Sequence, residues 1–257
     1  MFRIILSIKI LRNLICFIRA FYLIKIRKRL RQISNQSENI WENTIDSNLR
    51  HVFDEKFLPK HPKKIPNFLG VNLRFTGRNI DLLYSIVQNN FKQDELKNKN
   101  ILVVGPRNES EIFNLYGKGF SLNKIDAIDL FSYSPKITLA DAHTYLKKKK
   151  YYDIIFLGWV LAYSNNKELM VKNLSKNLKD DGYLIVGYSA NELSNQNALK
   201  SRGYLVSSPH NRIHNEKDLK SFFLKNDFLI SQSEVIYKKE SNVKLAFKLQ
   251  KKLEQNL

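Results

Sequence analysis

The sequence predicts an α/β fold: an open, doubly wound sheet of five parallel strands closed by a C-terminal antiparallel hairpin, with helices on both faces and a basic helical extension at the N-terminus. From Asn100 onward, apolar runs of strand length alternate with segments of helical periodicity. That alternation demands parallel strands joined by crossover helices packed on both faces. Near the C-terminus, two strand-length runs are separated only by residues 238–242. A parallel crossover needs about a dozen residues, so these two runs pair as a hairpin. The 43% hydrophobic content of the 257 residues supplies a core and excludes disordered, collagen-like and mucin-like classes. Three units are expected: 1–31, 32–78 and 79–257.

In the first unit, the segment between Ile4 and Ile24 has sixteen apolar residues of twenty-one, enough to consider a spanning helix of about 20 residues. Lys9, Arg12 and Arg19 interrupt it, each costing roughly 2.5–3.5 kcal/mol at the bilayer centre. Spanning is therefore disfavoured, and no small-residue cleavage site follows to make a signal peptide. Residues 1–31 hold nine of the basic side chains and no acid, nearly half of the net charge of +19. On a helical wheel the charges fall in two sectors, so the apolar face is imperfect. Three readings stay open: a helix lying at an anionic membrane surface with its 25–31 cluster near the headgroups, a helix packed on its own domain or on a second subunit, and nucleic-acid binding. The last lacks an aromatic-interleaved recognition motif, which makes a nucleic-acid partner the least favoured.

Residues 32–78 read as a connector with Pro59, Pro62 and Pro66 enforcing extended backbone. A helix follows over 79–91, with Ile80, Leu83, Tyr84 and Val87 on one face and Asn79 or Asp81 as its cap. The five parallel strands are expected at 101–104, 125–130, 137–140, 154–157 and 183–188, the last entered by an Asp181-Gly182 turn. Helices are expected at 110–118, 165–178 and around Leu219, Phe222 and Phe223, with a polar loop over 189–215. The hairpin strands are 228–237 and 243–249. Lys147 to Lys150 should end a short helix and remain solvated. The single cysteine, Cys16, excludes an internal disulfide framework and a cysteine zinc site, and points to a reducing compartment. No metal-ligand spacing is present, and no Ser/His/Asp ordering rises to a hydrolase signal.

In a sheet of this kind ligands bind beyond the carboxyl ends of the strands, where strand order reverses. Two of those ends carry carboxylates, Asp129 and Asp141, and two carry glycines, Gly105 and Gly158. Asp129 follows Gly105 at about the offset of ~20 residues where a strand-end acid accepts hydrogen bonds from both ribose hydroxyls of an adenosine-type ligand. Gly105 is expected to leave space in which a Cβ would strike that ligand. Only one glycine, followed by Pro106, occupies the first loop, which disfavours a dinucleotide pyrophosphate.

On these residues, the stretch from Ile80 to Leu249, about two thirds of the chain, resembles the class I S-adenosylmethionine-dependent methyltransferases with their Rossmann-like fold. It is most similar to bacterial members whose first loop reads Gly-Pro-Arg-Asn-Glu, here Gly105 to Glu109, followed by IDLFSYSP at 128–135 and GWVLAYS at 158–164. The resemblance implies S-adenosyl-L-methionine as cofactor, with Gly105, Pro106, Asn108 and Glu109 by its methionine part. It further implies Asp129 and Leu130 by the ribose, Asp141 and Ala142 by the adenine, and Gly158 and Trp159 beneath the transferable methyl. The loop departs from the usual glycine-rich pattern, leaving a non-catalytic scaffold with a degenerate site as the alternative. A sulfonium donor carries no phosphate and suits an acidic loop, so Glu109 or Glu111 is expected to face its cationic groups.

Methyl transfer is an in-line displacement in which the protein aligns the reactants, and a base is needed only for an acceptor that must lose a proton. His143, after the third strand, is the candidate base, with cofactor lining and a structural role as alternatives. Tyr163 is a candidate wall of the transfer site, and His210, Arg212 and His214 are candidate substrate contacts in the polar loop. The basic tail suggests a glycan or lipid-linked acceptor at the inner face of a membrane; a small molecule is the other expectation.

Overall fold

The computed structural model describes residues 78–106, 109–129, 136–164, 166–191, 213, 215–239 and 242–252, with isolated positions 4, 5, 8, 10, 11, 14, 15 and 18 ahead of them. The connector expected at 32–78, apart from Arg78, and the 25–31 basic cluster lie outside the described residues.

Seven strands form one sheet: β1 (Ile101–Val104), β2 (Ile125–Asp129), β3 (Thr138–Leu139), β4 (Tyr152–Gly158), β5 (Leu178–Asn191), β6 (Phe228–Lys239) and β7 (Asn242–Lys251). Their order is β3-β2-β1-β4-β5-β7-β6. The first five are parallel, and β7 lies antiparallel between β5 and β6. Strand order therefore reverses between β1 and β4, and that switch point opens the crevice.

Among the described residues, four helices cover the sheet: α1 (Arg78–Val87), α2 (Ser110–Lys118), α3 (Lys167–Asn177) and α4 (Glu216–Lys225). The strands are buried on both sides, so alternate residues feed two cores. On one face Ile101, Val103, Ile154, Phe156 and Ile185 pack with Ile80 and Leu83 of α1 and Ile112 and Leu115 of α2. On the other, Leu102, Val104, Ile155, Leu157, Leu184 and Val186 pack with Met170 and Leu174 of α3 and Leu219 and Phe223 of α4. Each such side chain contributes roughly 1.5–3 kcal/mol of burial.

Several sequence expectations are corrected. Asn79 and Asp81 lie inside α1 rather than capping it, and Gln88–Asn90 continues as a 3-10 turn. β3 is only two residues long, because β2 alone pairs with it at the sheet edge. Residues 147–150 form turns instead of a helix end, and their lysines are partly engaged: Lys147 bridges Asp126 at 2.7 Å and Lys150 bridges Asp180 at 2.6 Å. Asp181-Gly182 does not separate helix from strand. β5 begins directly after α3, and the register shift between Tyr152 and Ile154 of β4 absorbs the extra residues as a bulge.

Candidate active site

β1 leaves the sheet through Gly105, whose φ is +77°. Its N–H donates to the Ile128 carbonyl of β2 at 2.9 Å. A Cβ at this position would stand 2.2 Å from Val160 Cγ2. Glycine is thus required by the left-handed backbone and by Val160 together. This corrects the expectation that the missing Cβ makes room for a ligand: a side chain of the turn after β4 fills that direction. Pro106 and Glu109 are buried, and Glu109 occupies the N-cap position of α2 without a side-chain capping bond.

β2 ends at Asp129, which is partly exposed at the carboxyl edge. Its carbonyl accepts from the Ala140 N–H at 3.0 Å, tying the ends of β2 and β3 together. The Asp129 carboxylate acts on Glu111 in the first turn of α2. Burial, then the charges of Asp129 and of Asp81 on α1, push the Glu111 carboxyl from 4.5 up to about 8. Sequence reasoning reached Glu111 only as an alternative to Glu109, because its state is set by α1 and β2 rather than by its neighbours along the chain.

A folded-state value above the unfolded one means that the folded protein holds this proton more tightly. The resulting stabilisation is complete below about 4.5 and is lost as pH rises through about 8. Melting temperature is expected to fall across that window, and Glu111→Gln to flatten the fall. An unchanged pH profile in the variant would contradict the assignment.

After β3, Asp141 and Ala142 are buried. Asp141 Oδ1 accepts the His143 backbone N–H at 2.9 Å and lies 2.6 Å from His143 Nδ1. His143 Nε2 lies 2.8 Å from Ser164 Oγ. Both ring nitrogens are engaged, so a base role would require one of them to leave its partner. The structure brings together an Asp–His–Ser chain that no sequence spacing signals, since Ser164 follows a different strand.

β4 ends at Gly158, and Trp159 adopts a left-handed conformation with φ 57°. Its N–H donates to the Gly187 carbonyl of β5 at 3.0 Å. A Cβ on Gly187 would stand 2.6 Å from the indole Cε3, so this strand glycine exists for the close approach of the ring. The Trp159 indole N–H is buried with no hydrogen-bond partner among the described residues. Tyr163 belongs to the 3-10 turn Val160–Tyr163, and its side chain lies outside the described residues, as do Asn108, Leu130, His210, Arg212 and His214. Among the described residues no group of three or more metal-ligating side chains forms.

The donor set at this edge is a fit test for the expected ligand. Asp129 ends β2, Asp141 follows β3, and Glu111 in the first turn of α2 is pushed up by burial and by the Asp129 charge. Carboxylates at these strand ends fit the hydroxyl and amine donors of an adenosine-type molecule better than they fit a phosphate. The doubly wound sheet, its order reversing between β1 and β4, is an α/β architecture that binds ligands beyond the carboxyl ends of its strands. Residues 76–233, more than half of the chain, match the methyltransferase domain family. The chain belongs to that family and is a class I S-adenosylmethionine-dependent methyltransferase.

Solved structures share the fold at low identity. Burkholderia thailandensis 1,6-didemethyltoxoflavin-N1-methyltransferase, with bound 1,6-didemethyltoxoflavin and S-adenosylhomocysteine, is 13% identical at a TM-score of 0.50, covering 72% of this chain and 83% of its own. A SAM-dependent methyltransferase from Methanosarcina mazei is 16% identical at 0.50, covering 66% and 99%. Haemonchus contortus phosphoethanolamine N-methyltransferase 2, in complex with phosphomonomethylethanolamine and S-adenosylhomocysteine, is 11% identical at 0.52, covering 68% and 53%. No curated protein matches the sequence.

Proposed function

We propose that this chain transfers the methyl group of S-adenosylmethionine to a small-molecule acceptor bound over the turn after β4. The observation that carries the reading is Asp129 at the tip of β2, beside the point where strand order reverses, in a chain whose residues 76–233 match the methyltransferase domain family. When bound, the donor supplies an electrophilic methyl on sulfur. Asp129 accepts from its ribose hydroxyls, Asp141 and Ala142 flank the adenine, and the Gly105–Pro106 turn with Glu109 and Glu111 faces its methionine part. Gly158 and Trp159 floor the methyl and exclude water.

Calorimetric titration with S-adenosylmethionine and S-adenosylhomocysteine tests the reading. Micromolar or tighter binding is expected, with proton release near neutral pH as the ligand's cation lowers the Glu111 value. A folded protein that binds neither ligand would refute the reading and leave the scaffold alternative.

The small acceptor is supported by the two neighbours crystallised with small molecules. A glycan or lipid-linked acceptor rests on the N-terminal segment. There Ile4, Ile8 and Ile18 are 66%, 47% and 58% exposed, while Ile15 packs against Phe113. No helix among the described residues is long and apolar enough to cross a membrane. Exposed isoleucines interspersed with Lys9, Arg12 and Arg19 suit a helix lying on an anionic bilayer, each charge near the surface contributing about 1 kcal/mol. Flotation with anionic liposomes is expected for the full chain and lost when residues 1–31 are removed. Equal flotation of both proteins would rule out anchoring by this segment.

A further inference from the structure

We propose that His143 is a positioning residue: it sets the orientation of the Asp141 carboxylate at the base-binding end of the crevice and ties it, through Ser164, to the turn that carries Trp159. This rests on the reading that an adenosine lies along the strand ends with its ribose at Asp129. In the order β3-β2-β1-β4, a ribose at the tip of β2 directs the methionine part toward β1 and β4 and the base toward β3. Asp141, following β3, stands on the base side.

A carboxylate only accepts hydrogen bonds, so His143 Nδ1 donates to Asp141 Oδ1 across 2.6 Å, alongside the 2.9 Å bond from the His143 backbone N–H. In the neutral imidazole, Nε2 then accepts from the Ser164 hydroxyl at 2.8 Å. The chain is enclosed: the His143 and Asp141 side chains are 10% and 6% exposed, and Ser164 is 4% exposed. Burial strengthens such bonds and fixes their geometry. Both ends are anchored on α3. Lys167 Nζ donates to the Ser164 carbonyl at 2.7 Å, and Asn173 Nδ2 donates to the Ala142 and Tyr145 carbonyls at 3.0 and 2.8 Å. His143 is the strut between these two anchored loops. The Asp–His–Ser order is that of a hydrolytic triad, yet the serine hydroxyl is enclosed and leaves no room for a substrate carbonyl. The arrangement orients Asp141 instead.

The chemistry gives a specific readout. Adenine presents an exocyclic amine that a carboxylate accepts from, whereas hypoxanthine presents a carbonyl oxygen that a carboxylate repels. Discrimination between them depends on how firmly Asp141 is aimed. Full-length protein is titrated calorimetrically with S-adenosylhomocysteine and with its inosine counterpart. The parent is expected to prefer the adenine ligand by on the order of a hundredfold. His143→Ala should reduce that preference about tenfold, and His143→Asn, whose amide N–H lies near the Nδ1 position, should restore most of it. Ser164→Ala should produce a smaller loss in the same direction, and it carries the test with His143→Asn if His143→Ala does not fold. Unchanged preference in the folded variants, or equal weakening toward both ligands without rescue by Asn, overturns the proposal. A parent that binds neither ligand overturns the site reading and this proposal together, whereas a parent that binds both equally overturns this proposal alone.

Discussion

Asp129→Ala is expected to weaken S-adenosylhomocysteine binding by on the order of a hundredfold, because hydrogen bonds to a charged acceptor contribute roughly 1.5–3 kcal/mol each and the ribose offers two hydroxyls. The fold should survive. Asp129 joins β3 through its backbone carbonyl, which alanine retains, and its side chain is partly exposed. Removing the carboxylate also removes the larger of the two charge effects that raise Glu111. The variant is therefore expected to melt no lower than the parent near neutral pH, and the Glu111-dependent loss of stability should be smaller and should end at lower pH. Weaker binding together with an undiminished melting temperature separates a ligand contact from a fold defect. A large fall in melting temperature with unchanged affinity would reverse the assignment.

Gly105→Ala is the second large effect, and it acts on the fold as well as on the crevice. A side chain there meets Val160 Cγ2 at 2.2 Å and must also hold a φ of +77°. Overpacking costs typically 1–3 kcal/mol and the left-handed backbone roughly 1–2 kcal/mol. These two costs are separable. In Gly105→Ala/Val160→Ala the collision is relieved while the backbone cost remains, so the double variant should recover part of the lost stability. Thermal or denaturant unfolding of the four proteins in that cycle measures the recovery. Strict additivity of the two substitutions would show that Val160 does not set the requirement for glycine. Donor binding is expected to fall in both Gly105 variants, because the turn that presents Glu109 and α2 has moved.

Much of the fold is legible because strands buried on both sides read as continuous apolar runs; Ile101–Val104 and the core of Tyr152–Gly158 are of this kind. The hairpin is legible from loop length alone. β3 is harder: Ile137 is buried but unpaired, and only Thr138 and Leu139 meet β2. The bulge at the start of β5 depends on which β4 residues it faces, a fact no local pattern carries. In the crevice, Asp129 and Asp141 announce themselves as acids at strand ends. Ser164 does not, since it meets His143 across 21 residues of sequence and a different crossover. Gly187 had a signal in being a glycine inside a strand, which commonly marks the close approach of a bulky group. Glu111 looks like an ordinary first-turn acid until α1 brings Asp81 beside it. The residue in front of Gly105 is hidden from the sequence for the same reason: Val160 arrives from the far side of the switch point.

The central claim is that the tip of β2 holds the sugar of an adenosine-bearing methyl donor. A crystal structure of the protein with S-adenosylhomocysteine tests it most directly. The account predicts both ribose hydroxyls within hydrogen-bonding distance, about 2.5–3.2 Å, of the Asp129 carboxylate, with the base toward Asp141. A ligand bound elsewhere, or an Asp129 side chain turned to solvent with the ribose held by other groups, would contradict it.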